Sequence, residues 1–166
     1  MNDALLDPFR HNAWANREQL GFCGALEGEQ LGETTVGAYG SIHGTLDHIL
    51  DAEEWYLSLL EGVPPTWSEP DDPPPPITEL LTRADEVAAR FERLLSAPYD
   101  PDRLVEFDED DGGRYGIRAG VLITQVLNHG TEHRDQVNAI LTSLGVKAPE
   151  LDGWAYGAAA GRAGAV

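Results

Sequence analysis

Residues Ile117 to Leu144 restrict the fold more than any other stretch of the chain. Apolar side chains recur at Ala119, Leu122, Ile123, Val126, Val137, Ile140, Leu141 and Leu144, the three-and-four spacing of one face of an α-helix. Thr124, Asn128, Thr131, Asp135 and Thr142 take the opposite side. A helix this long with one apolar stripe must lay that stripe against other elements, because its stability comes mostly from packing. Into the stripe falls His129-Gly130-Thr131-Glu132-His133. At about 100° per residue, His133 lies mid-stripe and His129 at its edge. Histidines four apart stand one turn apart on one face, close enough for both rings to reach one ion. Imidazoles turned toward protein need partners. Two kinds fit: backbone or carboxylate hydrogen-bond acceptors, and a metal ion.

Three further segments carry the same periodicity. The first helix spans about Leu5 to Leu26, with Leu5, Phe9, Ala13, Leu20 and Cys23 along one side. Asn16 falls inside that stripe and Asn12 at its margin, either as hydrogen-bonded core amides or as the wall of a polar cavity. Trp14 points away, as a surface aromatic or a subunit contact. A loop through Gly37, Tyr39 and Gly40 leads to Ser41, an N-cap for a second helix from Ile42 to about Glu61. Ile42, Leu46, Ile49, Leu50, Tyr56, Leu57 and Leu60 form its core face. Glu53 lies at the centre of that face, an unusual place for a carboxylate. It is hydrogen-bonded there, or the helix is rotated from this estimate. His48 sits on a semi-apolar flank, and His43 on the polar side as a surface residue. A third helix runs from about Thr78 to Ser96, on a stripe of Leu80, Ala84, Val87, Ala88, Phe91, Leu94 and Leu95.

The connections are equally legible. Pro64-Pro65 and Pro73 to Pro76 forbid helix across Gly62 to Pro76 and favour extended polyproline backbone. Pro98 and Pro101 end the third helix. Arg103 to Phe107 and Arg114 to Ile117, joined by Asp108-Glu109-Asp110-Asp111-Gly112-Gly113, read as a short hairpin or long loop. That acidic turn lacks the alternating ligands and closing glutamate of an EF-hand, so it reads as solvated. Gly145 caps the fourth helix and Pro149 prevents its continuation. Leu151 to Tyr156 forms a short final segment, and the glycine-rich 158–166 is expected to be a flexible tail. With no repeat and no second core, the chain reads as a single all-α domain over 1–157. Its architecture is a four-helix bundle with a long crossover connection.

The charge narrows the partners. Eleven basic against 29 acidic residues leave a formal net charge of −18, which opposes nucleic acid and anionic membrane surfaces. No apolar run reaches the length of a membrane span. Met1-Asn2-Asp3 opens no signal peptide, so a cytoplasmic location is expected. Cys23 is the sole cysteine, which excludes an internal disulfide and a cysteine-rich zinc site.

Three imidazoles with an open fourth position make a catalytic type of coordination set for a divalent ion. His129 and His133 supply two. The third must come from another helix: His48 is the best placed, with Glu53 as the carboxylate alternative. Gly130 stands where a metalloprotease carries its glutamate, so the motif is not of that kind. Asp51, Glu132 or backbone carbonyls could accept from the second ring nitrogens.

Several fragments together resemble the DinB/YfiT-like proteins. These are Asn12-Ala13-Trp14-Ala15-Asn16, then Gly40-Ser41-Ile42 leading through Leu46-Asp47-His48-Ile49-Leu50 to Glu53-Glu54-Trp55. Leu127-Asn128-His129-Gly130-Thr131-Glu132-His133-Arg134-Asp135-Gln136 is the strongest, and Leu144-Gly145-Val146, Pro149 and Asp152 close the series. The resemblance spans about Leu5 to Tyr156. It implies a DinB-like bundle, often a homodimer, and a divalent metal held by His48, His129 and His133. It also implies, for some members, thiol-dependent transfer or isomerisation with bacillithiol or mycothiol. The chain ends soon after the bundle, where the mycothiol-dependent isomerases carry a further domain, so their specific activity is not expected.

The expectation is therefore a zinc- or nickel-dependent enzyme acting on a small molecule. Metal-stabilised thiolate, from a low-molecular-weight thiol, would attack a small electrophile. The alternatives are a metal-dependent hydrolase and a non-enzymatic metal-binding stress-response protein.

Overall fold

The computed structural model describes residues 3–63, 74–108 and 112–164. The expected polyproline stretch (64–73) and the tip of the acidic turn (109–111) lie outside them. Four long helices make the frame: α1 (Asp3–Cys23), α3 (Ile42–Glu61), α4 (Ile77–Ser96) and α5 (Ala119–Ser143). Between them come a single turn, α2 (Gly28–Leu31), and an antiparallel hairpin of β1 (Leu104–Asp108) and β2 (Arg114–Arg118). A short α6 (Gly153–Ala159) follows the bundle. In the hairpin Leu104 pairs with Arg118 and Asp108 with Arg114.

Local signals set most boundaries. Ser41 caps α3 by accepting from the Gly44 N–H at 3.1 Å, and Gly62 ends it at φ 70°. Gly145, at φ 73°, takes the left-handed position just past the end of α5. Asp152 caps α6 by accepting from the Trp154 and Ala155 N–H groups. The first helix stops three residues earlier than its periodicity suggests, because the chain turns at Gly24 and Ala25. There Leu6 and Ala15 are buried, whereas Ala13 is only half-buried. Trp14 packs with His11 and Tyr156 beneath α6.

Each of α1 and α3 packs against both α4 and α5, so α1 and α3 face each other across the bundle diagonal. Ion pairs show the directions. Arg10 meets Glu92 and Arg17 meets Asp85, so α1 and α4 are antiparallel. Arg83 meets Asp47, Asp51 and Glu54, while Arg90, further along, meets Glu61 at 2.6 Å. Thus α3 and α4 run parallel, and the chain must cross the bundle's length between them. No helix among the described residues is long and apolar enough to cross a membrane.

The core is in two apolar parts. One gathers Phe9, Leu57, Phe91, Leu122 and Val126. The other gathers Leu20, Ile42, Leu46, Leu80, Val137 and Leu141. Between them along the helices lies a layer of buried polar side chains: Asn12 and Asn16 on α1, Glu53 on α3, and His133 and Arg134 on α5.

Candidate metal centre

Three imidazoles converge at this layer. His48 on α3 and His129 and His133 on α5 bring one ring nitrogen each to within 4.8 Å of one another. His48 Nε2 and His129 Nε2 are 3.1 Å apart. Nitrogens on a tetrahedral zinc at about 2.0–2.1 Å stand about 3.3 Å apart, so this spacing suits a shared ion. The ring centroids lie 4.3 to 4.9 Å apart, with each pair steeply inclined. His133 is 8% exposed, in keeping with its mid-stripe position, while His48 and His129 are half-buried.

Hydrogen bonding fixes which nitrogen of His133 carries the ring proton. Gln136 Oε1 lies 2.9 Å from the Tyr39 backbone N–H and 3.0 Å from His133 Nδ1. A backbone N–H only donates, so the Gln136 oxygen must face it. The same oxygen can only accept from His133, which places the ring proton on Nδ1 and leaves the Nε2 lone pair bare. Tyr39 also covers the site. Its ring stacks on His48 at 3.9 Å and 13°, and meets the His133 ring edge-on at 5.3 Å. Tyr56 packs edge-on to His129 at 5.8 Å. His129 Nδ1 is buried without a hydrogen-bond partner among the described residues, so packing and the Nε2 contact with His48 orient that ring.

Burial favours the neutral form of His129 and of His48. It pushes the His129 pKa down to about 4, with His133 and His48 adding repulsion. His48 is also lowered, first by burial and then by His133, with Asp51 opposing. A divalent ion requires neutral imidazoles, so the shifts at His129 and His48 favour the ligating form.

The other candidates lie elsewhere. Glu53 is not a member of the cluster. Its Oε1 accepts from Asn12 Nδ2 at 2.7 Å and Asn16 Nδ2 at 2.9 Å. Of the two readings of Asn12 and Asn16, hydrogen-bonded core amides is the one realised. Burial raises the Glu53 pKa, and the two amides and Arg134 oppose it. Asp51 is held by Arg83 at 2.6 Å and Glu132 is exposed, so neither serves as the expected acceptor. Gln136 takes that role; its position three residues past His133 on one helix was the available signal. His43 is half-buried rather than a surface residue, bonded to the Pro75 carbonyl at 2.7 Å. His11 bonds the Leu151 carbonyl at 2.7 Å, away from the cluster. The buried Arg134 went unread, although Val126, Gly130, Arg134, Val137 and Leu141 share one helical face.

Fold and site together define an all-α bundle whose middle layer gathers three imidazoles able to hold a metal ion. The chain belongs to the DinB family, whose model matches residues 1–163. No curated protein matches it.

Proposed function

We propose that the chain is a divalent-metal-dependent enzyme that transfers a small-molecule thiol to a small electrophile, with His48, His129 and His133 as the metal ligands. The convergence of three ring nitrogens within 4.8 Å carries this reading. Among the described residues no carboxylate joins the cluster, and three nitrogen ligands with an open position are the catalytic rather than the closed structural pattern. A divalent ion there supplies Lewis acidity, favouring the ionised form of a thiol at its open position.

The chain's own residues do the rest. Gln136 keeps the His133 proton on Nδ1. Tyr39 and Tyr56 shield the imidazole rings and limit water around them. The nucleophile must come from outside. Cys23 is fully buried in the apolar core, and burial pushes its thiol up to about 12. In the transfer the thiol loses its proton to solvent, its sulfur forms the new S–C bond, and the leaving group departs with its electron pair. The net charge of −18 favours neutral or cationic electrophiles over polyanions.

The test is to load the protein with zinc or nickel and follow conjugation of a panel of cellular thiols to a generic electrophile. Metal-dependent conjugation is expected. Full metal occupancy with no turnover on any thiol would refute the transferase reading. Thiol-independent hydrolysis abolished by a chelator would replace it with a hydrolase.

A further inference from the structure

A second buried constellation adjoins the histidines. Arg134 Nη1 donates to Asn12 Oδ1 at 2.8 Å and to Asn16 Oδ1 at 2.6 Å. The Nδ2 groups of the same two amides donate to Glu53 Oε1. Two amides thus bridge a carboxylate on α3 and a guanidinium on α5, all four residues being at most 4% exposed. The charges dictate the amide orientation. A flipped amide would turn its oxygen to the carboxylate and its NH₂ to the guanidinium, which are two repulsions. The arrangement has one satisfied geometry, and that geometry spans three helices. Gln19, further along α1, adds a bond from its Nε2 to the Arg134 carbonyl at 3.0 Å.

Gly130 shows how tightly α5 is pressed on this network. A Cβ there would lie 2.8 Å from Asn12 Oδ1, 2.9 Å from Arg134 Nη1 and 3.3 Å from Glu53 Oε1. Glycine inside a helix is unfavourable relative to alanine, and here the close approach explains it. Gly130 directly follows His129, and Glu53 lies five residues past His48 on α3. Whatever sets the distance between Gly130 and Glu53 therefore sets the distance between His129 and His48.

We propose that Asn12, Asn16, Glu53 and Arg134, with Gly130 against them, are positioning residues that set the α3–α5 spacing at which His48 meets His129 and His133. This rests on the metal-ligand reading above. Buried polar networks of this kind specify one arrangement of helices rather than simply adding stability. Residues that orient metal ligands from outside the coordination shell characteristically change affinity by about 10–100-fold when removed.

The test titrates cobalt(II) into metal-free protein and reads both affinity and the visible ligand-field band. Variants are Gly130→Ala, Glu53→Gln and, as the mildest, Asn16→Ser. Leu95→Ala, a core truncation on α4 outside the network, is the control for simple destabilisation. The expected result is an affinity about tenfold or more below wild type for Gly130→Ala and Glu53→Gln, a smaller loss for Asn16→Ser, and a shifted band in each. Leu95→Ala should keep the wild-type affinity and band while unfolding at lower temperature. Wild-type affinity and band in the folded network variants would overturn the positioning role alone. If Gly130→Ala or Glu53→Gln does not fold, an unchanged Asn16→Ser overturns it. A wild-type protein that binds no cobalt overturns the metal reading, and the positioning role with it.

Discussion

Replacing Gln136 by leucine tests the tautomer assignment at its source. Gln136 Oε1 accepts two hydrogen bonds, from His133 Nδ1 at 3.0 Å and from the Tyr39 N–H at 2.9 Å. Leucine keeps much of the volume and removes both acceptors. Each neutral hydrogen bond contributes about 1 kcal/mol net. The Tyr39 N–H lies in an exposed loop and can turn to water, so the stability loss should sit near the lower end of about 1–2 kcal/mol. The larger consequence is chemical. Removing about 1 kcal/mol of support for the Nδ1–H form shifts the His133 tautomer ratio about fivefold toward Nε2–H. A ring protonated at Nε2 carries its lone pair on Nδ1, on the side of residue 136, so metal affinity falls, within the roughly 10–100-fold range for such partners. Nitrogen NMR of the imidazoles in metal-free protein, above the histidine titration range, reads the tautomer directly. Wild type should show His133 protonated at Nδ1, and the variant a mixture. The reasoning fails if wild-type His133 carries its proton on Nε2, or if the substitution leaves the tautomer unchanged.

Other consequences can be measured independently. His133→Ala should abolish bound metal by elemental analysis and remove the metal-dependent rise in Tm, because binding to the folded state is linked to folding; unchanged metal content would exclude His133 as a ligand. The metal-free protein should lose stability as pH falls from 6.5 toward about 4. The unfolded state takes up a proton at His129 in that window while the folded state resists it. His48 acts in the same direction, and denaturant midpoints that do not fall across the window would contradict both. Arg83→Met should destabilise by on the order of 2 kcal/mol at pH 7, because Arg83 meets Asp47, Asp51 and Glu54 with only 20% of its side chain exposed. The loss should shrink at pH 4 as Asp47, whose pKa burial raises, takes up a proton; an equal loss at both pH values would show that the ion pairs are not its cause.

The frame of the bundle was readable because its causes are local. The α3 and α4 boundaries and the α5 cap follow from Ser41, Pro98, Gly145 and the apolar periods, whereas the segment between α4 and α5 read equally as a hairpin or a long loop. The His129–His133 pair was readable for the same reason, since both lie on one helix. The single turn of α2 was not foreseen. Its capping box, Glu27 with Gln30, is a weak signal without an apolar face behind it.

What the sequence determined by itself is the four long helices, their apolar faces, and two histidines on the buried side of α5. These depend on contacts a few residues apart. Which third ring would join them was undecided from helical periodicity, since His48 lies on a flank of α3 and that rotation depends on what α3 packs against. Only the tertiary structure brought His48 Nε2 to 3.1 Å from His129 Nε2. It alone linked Glu53 through Asn12 and Asn16 to Arg134. Such pairings join residues 37 to 122 positions apart, and they are settled by how three helices share one desolvated layer.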